Sequence, residues 1–182
     1  PDGSVETIVH APGPSPIWLT LVTSTFMHGG WMHLLGNMLF LYVFGDNVEA
    51  AFGSLVYLGF YLVVGVLASL AHVLTNANSI IPSLGASGAI SGVLAAYLVL
   101  FPQNPVRVLV LFRFIPFTYT VPALVMIGLW ALFQFINGFA AITPSEETSG
   151  VAYMAHIGGF VAGFVLTFLA KPFVSTRPRF AA

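Results

Sequence analysis

Gly85-Ala86-Ser87-Gly88-Ala89-Ile90-Ser91-Gly92 and Ala155-His156-Ile157-Gly158-Gly159-Phe160-Val161-Ala162-Gly163 are the two stretches that decide how this chain folds. Each opens an apolar run and carries glycines four residues apart, Gly88 with Gly92 and Gly159 with Gly163. That spacing leaves one helix face as bare backbone, so two such helices can pack with their main chains in contact. A serine stands just ahead of the first glycine pair and a histidine just ahead of the second. Polar and ionisable groups inside an apolar span are costly and mark functional positions. Close packing through the glycines is expected to bring Ser87 and His156 within hydrogen-bond reach.

Working outward, the composition is that of a membrane protein. Of 182 residues, 58% are hydrophobic and 6% charged, and the mean hydropathy is +0.95. An ordinary soluble domain carries about 25% charged residues. The chain therefore reads as an integral, multi-pass membrane protein whose main partner is the lipid bilayer. A net charge of -1 leaves no basic patch for nucleic acid. The lack of cysteine removes disulfides, thiol catalysis and cysteine-ligated metal. No signal peptide is recognisable, and Pro1 in place of methionine reads as a processed or truncated start.

A bilayer core about 30 Å thick calls for about 20 apolar residues per helix. Five runs approach that length: Trp31 to Phe52, Ser54 to Leu74, Leu84 to Phe101, Thr120 to Ile142 and Tyr153 to Ala170. They are continuous rather than alternating, so they predict helices and not barrel strands. Breakers fall between them at Gly53, at Asn76-Ala77-Asn78 with Pro82, at Pro102-Gln103-Asn104-Pro105 and at Pro144-Ser145-Glu146-Glu147. The expected architecture is all-α and forms one domain over 1–182. Residues 1–30 form a surface loop with a short interfacial helix near Trp18, 31–171 hold five transmembrane helices, and 172–182 form a tail.

Charge sets an expected orientation. With the amino terminus outside, Arg107 and Arg113 fall in an inner loop and Lys171, Arg177 and Arg179 in an inner tail. All five basic residues then obey the positive-inside rule. Ser87, His156, His28, His33 and Asn37 gather toward the outer face in this arrangement, whereas Asp46 and Glu49 lie near the inner one.

A serine hydroxyl needs a base before it is a good nucleophile, and a neutral imidazole suits that task near pH 7. Ser87 and His156 offer the pair. Ser87 also begins its helix, where unpaired backbone N–H groups favour an oxyanion. The same residues would equally suit a small packing serine and an interfacial histidine. Ser91, one turn deeper, is the competing nucleophile. His33 and Asn37 are four apart and share one helix face, where two donors could hold a developing negative charge; they could also anchor the helix at the headgroups. His28, beside Gly29-Gly30, reads more as structural than catalytic, His72 as interfacial and His10 as a loop residue. No His-Glu-x-x-His is present and no carboxylate accompanies the histidines, so neither metal nor cofactor is expected.

These residues resemble the rhomboid family of intramembrane serine proteases. The likeness rests on His28, His33-x-x-x-Asn37, Gly45-x-x-x-Glu49, Gly85-Ala86-Ser87-Gly88 and Ala155-His156-Ile157-Gly158-Gly159 with Gly163, in order over about 17–171. It implies a six-helix core in which the five helices here are the second to sixth, the helix before the long first loop being missing. It further implies Ser87 as nucleophile, His156 as general base, and an oxyanion site of the Ser87 backbone N–H, His33 and Asn37, with His28, Gly85, Gly88 and Gly159 in support. The implied substrates are single-spanning membrane proteins cut in or near their transmembrane segment. The Trp-Arg pair common in the family's loop is absent, since Trp18 has no arginine beside it.

Three other classes fit parts of the pattern. An inactive rhomboid-like protein binding membrane clients would not need the Ser87–His156 pair. A transporter or channel fragment would more often break its helices at the midplane. A purely structural subunit leaves the polar cluster unexplained.

Overall fold

The computed structural model describes residues 15–76, 84–113, 115–140 and 151–174, with the backbone alone at Leu111 and Phe112. His10, Pro82, the segment Pro144–Glu147, and Arg177 and Arg179 lie outside the described residues.

The first described segment is a string of short helical turns: Ile17–Leu19, α1 (Thr20–Thr23) and Ser24–Phe26. α2 (Trp31–Phe40) passes through a π-helical turn (Leu41–Gly45) into α3 (Asp46–Phe52). Gly53 then turns the chain with φ 79°, and α4 (Ser54–Thr75) returns. α5 (Ser87–Leu100) leads into a hairpin of β1 (Pro105–Phe112) and β2 (Ile115–Pro122). α6 (Ala123–Ala140) and α7 (Tyr153–Ala170) complete the bundle.

Among the described residues, three helical segments are long and apolar enough to cross a membrane unaided: Ser54–Thr75, Ala123–Ala140 and Tyr153–Phe173. α5 is shorter. Its 14 residues rise about 21 Å at 1.5 Å per residue, well under the thickness of a bilayer core. The expected run from Leu84 is cut because Gly85 takes φ 116°, a conformation no helix accepts. The catalytic candidate Ser87 thus opens a helix too short to reach both membrane surfaces.

α5 is the axle of the bundle. Gly88 through Tyr97 are all buried along it, together with Leu100. Phe44 from the π-helical turn packs edge-on against Tyr97, ring centroids 5.1 Å apart. α7 runs parallel to α5 and is tied to it at the far end, where Lys171 Nζ donates to the Val99 carbonyl at 3.2 Å. A cation there also offsets the negative end of the α5 dipole. The Gly45–Glu49 motif belongs to the far end too. A Cβ on Gly45 would stand 2.7 Å from the Tyr57 hydroxyl, and Glu49 accepts the Ser54 hydroxyl at 2.6 Å across the α3–α4 turn.

The bundle is helical as expected, and a short hairpin is added to it between α5 and α6. Residues 105–122 were expected to be loop followed, from Thr120, by helix; instead Val106 to Val121 and their neighbours form an antiparallel ladder. Val, Phe, Tyr and Thr dominate this stretch and favour the extended chain. Pro122 ends the second strand, and the helix begins at Ala123. The root is closed by Ala123 N–H donating to the Asn104 carbonyl and Leu124 N–H to the Pro102 carbonyl, both 2.9 Å. The described basic residues Arg107, Arg113 and Lys171 therefore all lie toward the end of the bundle opposite Ser87.

Candidate active site

The site is built where α5 and α7 begin. A Cβ on Gly159 would fall on the carbonyl of Gly88, and one on Gly163 on the backbone of Gly92. The two main chains touch along this seam, as the glycine spacing requires. One turn above Gly88–Gly159, His156 Nε2 lies 2.8 Å from Ser87 Oγ.

The other face of the imidazole meets α6. His156 Nδ1 lies 2.8 Å from Gln134 Oε1, and Gln134 is buried, 6% exposed. Trp130, one turn earlier on the same helix face, has its ring 6.1 Å from the imidazole and 6.1 Å from Phe160. Gln134 is the site residue the sequence analysis passed over. A signal was present: an amide inside an otherwise apolar span, four residues after a tryptophan.

The chain is held into Ser87 by its neighbours. Gly85 N–H donates to the Ser24 carbonyl at 2.9 Å, fixing the strained residue two before the serine. Ser91 is fully buried and its hydroxyl donates to the Ser87 carbonyl at 2.6 Å. That bond faces back along its own helix, so the Ser91 hydroxyl is engaged, and the hydroxyl bonded to His156 is that of Ser87.

His33 and Asn37 approach from α2. A Cβ on Gly85 would stand 2.8 Å from His33 Nε2 and 3.4 Å from Asn37 Nδ2. Both polar groups therefore border the turn that delivers Ser87. Gly29 N–H approaches His33 Nδ1 at 3.5 Å, an arrangement in which Nδ1 accepts and Nε2 carries the proton. Asn37 is buried at 8% exposure, and its Nδ2 has no hydrogen-bond partner among the described residues. A buried amide left without a partner is uncommon and calls for an explanation. His28 stacks edge-on against His33, centroids 5.3 Å apart, and reaches neither Ser87 nor His156 by a hydrogen bond. His72 is half-buried on α4.

Known proteins show which family the chain is similar to. The Rhomboid domain family matches residues 16–173. The chain belongs to the rhomboid family. Rhomboid-like protein 11, chloroplastic, of Arabidopsis thaliana is 32% identical over 164 residues, 88% of this chain and 55% of the relative. Rhomboid protein 1, mitochondrial, of Saccharomyces cerevisiae is 31% identical over 149 residues, 80% of this chain and 40% of the relative. Rhomboid protease GluP of Bacillus subtilis is 34% identical over 162 residues, 89% of this chain and 27% of the relative. This rhomboid thus spans about half or less of the length of those relatives. Membership, with a relative named as a protease, supports intramembrane proteolysis at the level of the family. The apolar helices make it an integral membrane protein in contact with lipid.

Proposed function

We propose that this rhomboid is a serine endopeptidase that hydrolyses a peptide bond in or near the transmembrane segment of single-spanning membrane proteins. The observation that carries the reading is the 2.8 Å approach of Ser87 Oγ to His156 Nε2 at the mouth of a glycine-packed seam. Ser87 Oγ attacks the scissile carbonyl carbon while its proton passes to His156 Nε2. The carbonyl oxygen takes the negative charge and is met by the Ser87 backbone N–H, His33 Nε2–H and Asn37 Nδ2–H. His156 then returns the proton to the departing amine as the C–N bond breaks. A water molecule, deprotonated by the same imidazole, cleaves the acyl-enzyme. No metal or cofactor takes part in this sequence.

The site opens toward the outer face in this reading, because Arg107, Arg113 and Lys171 lie at the opposite end and basic residues favour the inner side. The test is labelling with a serine-reactive fluorophosphonate in detergent. The unaltered chain and Ser91→Ala are expected to label, and Ser87→Ala and His156→Ala to stay dark. Labelling that survives in Ser87→Ala and disappears in Ser91→Ala would assign the nucleophile to Ser91. An unlabelled native chain that is folded and binds membrane clients would favour the inactive, client-binding class.

A further inference from the structure

The imidazole has two ring nitrogens, and a base that takes the Ser87 proton must present an unprotonated Nε2. In neutral imidazole that requires the proton to sit on Nδ1. Nδ1 faces Gln134 Oε1 at 2.8 Å, and a carbonyl oxygen can only accept. Gln134 is almost wholly buried, so water competes poorly for that bond. Trp130 closes another side of the ring. In this geometry one tautomer and one ring orientation are favoured together.

We infer that Gln134 is a positioning residue which holds the proton of His156 on Nδ1 and aims Nε2 at Ser87. The inference deepens the protease reading and rests on it for its catalytic meaning, though the tautomer itself does not. Gln134 is neutral, so it orients the ring without the charge that a carboxylate would place beside the imidazolium. It touches neither substrate nor the reacting atoms.

The experiment compares Gln134→Glu, which keeps an accepting oxygen, with Gln134→Met, which keeps the length and lacks the acceptor. The rate of fluorophosphonate labelling and the kcat for a transmembrane peptide are expected to fall roughly ten- to a hundredfold in Gln134→Met, the consequence of leaving one buried donor without its partner. KM should stay near the native value, and Gln134→Glu should recover most of the rate. Nitrogen-15 spectra of histidine-labelled protein supply a readout independent of turnover. The native chain should show His156 as the Nδ1–H tautomer and Gln134→Met a mixture. A native Nε2–H tautomer, or an unchanged rate in Gln134→Met, overturns the inference. If the native chain shows the Nδ1–H tautomer yet never labels, the protease reading fails while the hydrogen-bond assignment stands.

A second inference comes from the hairpin and is independent of catalysis. Cross-strand partners share a face, so Val106 with Val121, Val108 with Tyr119 and Val110 with Phe117 make one apolar side. Its root, Val106, is buried in the bundle core, but Val110, Phe117 and Tyr119 are 43, 42 and 57% exposed. Arg107, Thr118 and Thr120 occupy the other side together with the exposed Leu109, and Arg113 lies at the turn. The hairpin's root is pinned to the end of α5 and the start of α6, at the end of the bundle that carries Lys171. The geometry points to an interfacial ribbon whose Val110–Phe117–Tyr119 side lies on the bilayer, with Arg113 at the turn meeting lipid phosphates and Arg107 on the water side.

The chain has no cysteine, so single nitroxide labels can be placed without background. Phe117→Cys, Thr118→Cys, Tyr119→Cys and Thr120→Cys are labelled in vesicles of phosphatidylcholine and phosphatidylglycerol. Oxygen should relax positions 117 and 119 more strongly, and a water-soluble nickel chelate positions 118 and 120. Equal access of the chelate to all four overturns the inference. Exclusion of both reagents from 117 and 119 does the same, because it would mean that protein rather than lipid covers this side.

Discussion

A Cβ placed on Gly159 would land on the carbonyl of Gly88, so these two residues hold α5 and α7 at backbone contact. The Ser87–His156 hydrogen bond lies one turn above this contact. Its length is therefore set by how closely the glycines allow the helices to approach. Gly159→Leu is expected to abolish proteolysis with both Ser87 and His156 in place, since a misplacement of about 1 Å can cost roughly a hundredfold in rate. Gly128, which has nothing within 4 Å of its Cβ position, supplies the control: Gly128→Leu should keep near-native turnover. Equal turnover in both variants would separate the seam from the chemistry.

Ser87 and His156 are expected to behave as one unit. Ser87→Ala and His156→Ala should each remove nearly all peptide cleavage, and the double variant should be no worse than either single one. Losses that multiply in the double variant would show that the two side chains act independently.

Much of this site was legible in the sequence because membrane packing imposes a local signature. Glycines four apart predict backbone contact, and the serine and histidine ahead of them inherit their proximity from it. Gln134 was harder to read. Its role depends on how α6 is rotated against α7, and no glycine pair links Gln134 to His156 in the sequence. The hairpin was missed for another reason. Val106 to Val110 and Phe117 to Val121 are apolar enough to resemble the ragged ends of spans, and a period of two is hidden when Leu109 and Pro116 fall on the polar side. The start of α5 was misjudged by three residues because the sequence does not reveal that Gly85 adopts φ 116°.

That glycine carries the next prediction. At φ 116° a side chain is strained, and a Cβ would also press within 2.8 Å of the His33 ring. Gly85→Ala is expected to lower stability by about 1–3 kcal/mol, the usual range for a strained backbone, and to reduce turnover by shifting Ser87. Thermal unfolding in detergent gives the first quantity and peptide cleavage the second. A Gly85→Ala variant with native values of both would mean the turn relaxes without moving the serine.

Asn37 separates function from stability most cleanly. Its amide nitrogen is buried and finds no hydrogen-bond partner among the described residues, so no described residue compensates its desolvation. A tetrahedral oxyanion on Ser87 would supply that partner only during reaction. Asn37→Ala is therefore expected to lower kcat by up to about 10²–10³, as for a single oxyanion donor, with little change in KM. The same substitution removes an unsatisfied buried group whose burial typically costs about 1–3 kcal/mol, so thermal stability in detergent should hold or rise. If Asn37→Ala instead melts markedly lower while its kcat is native, Asn37 is a structural anchor of α2 and the oxyanion site lacks it.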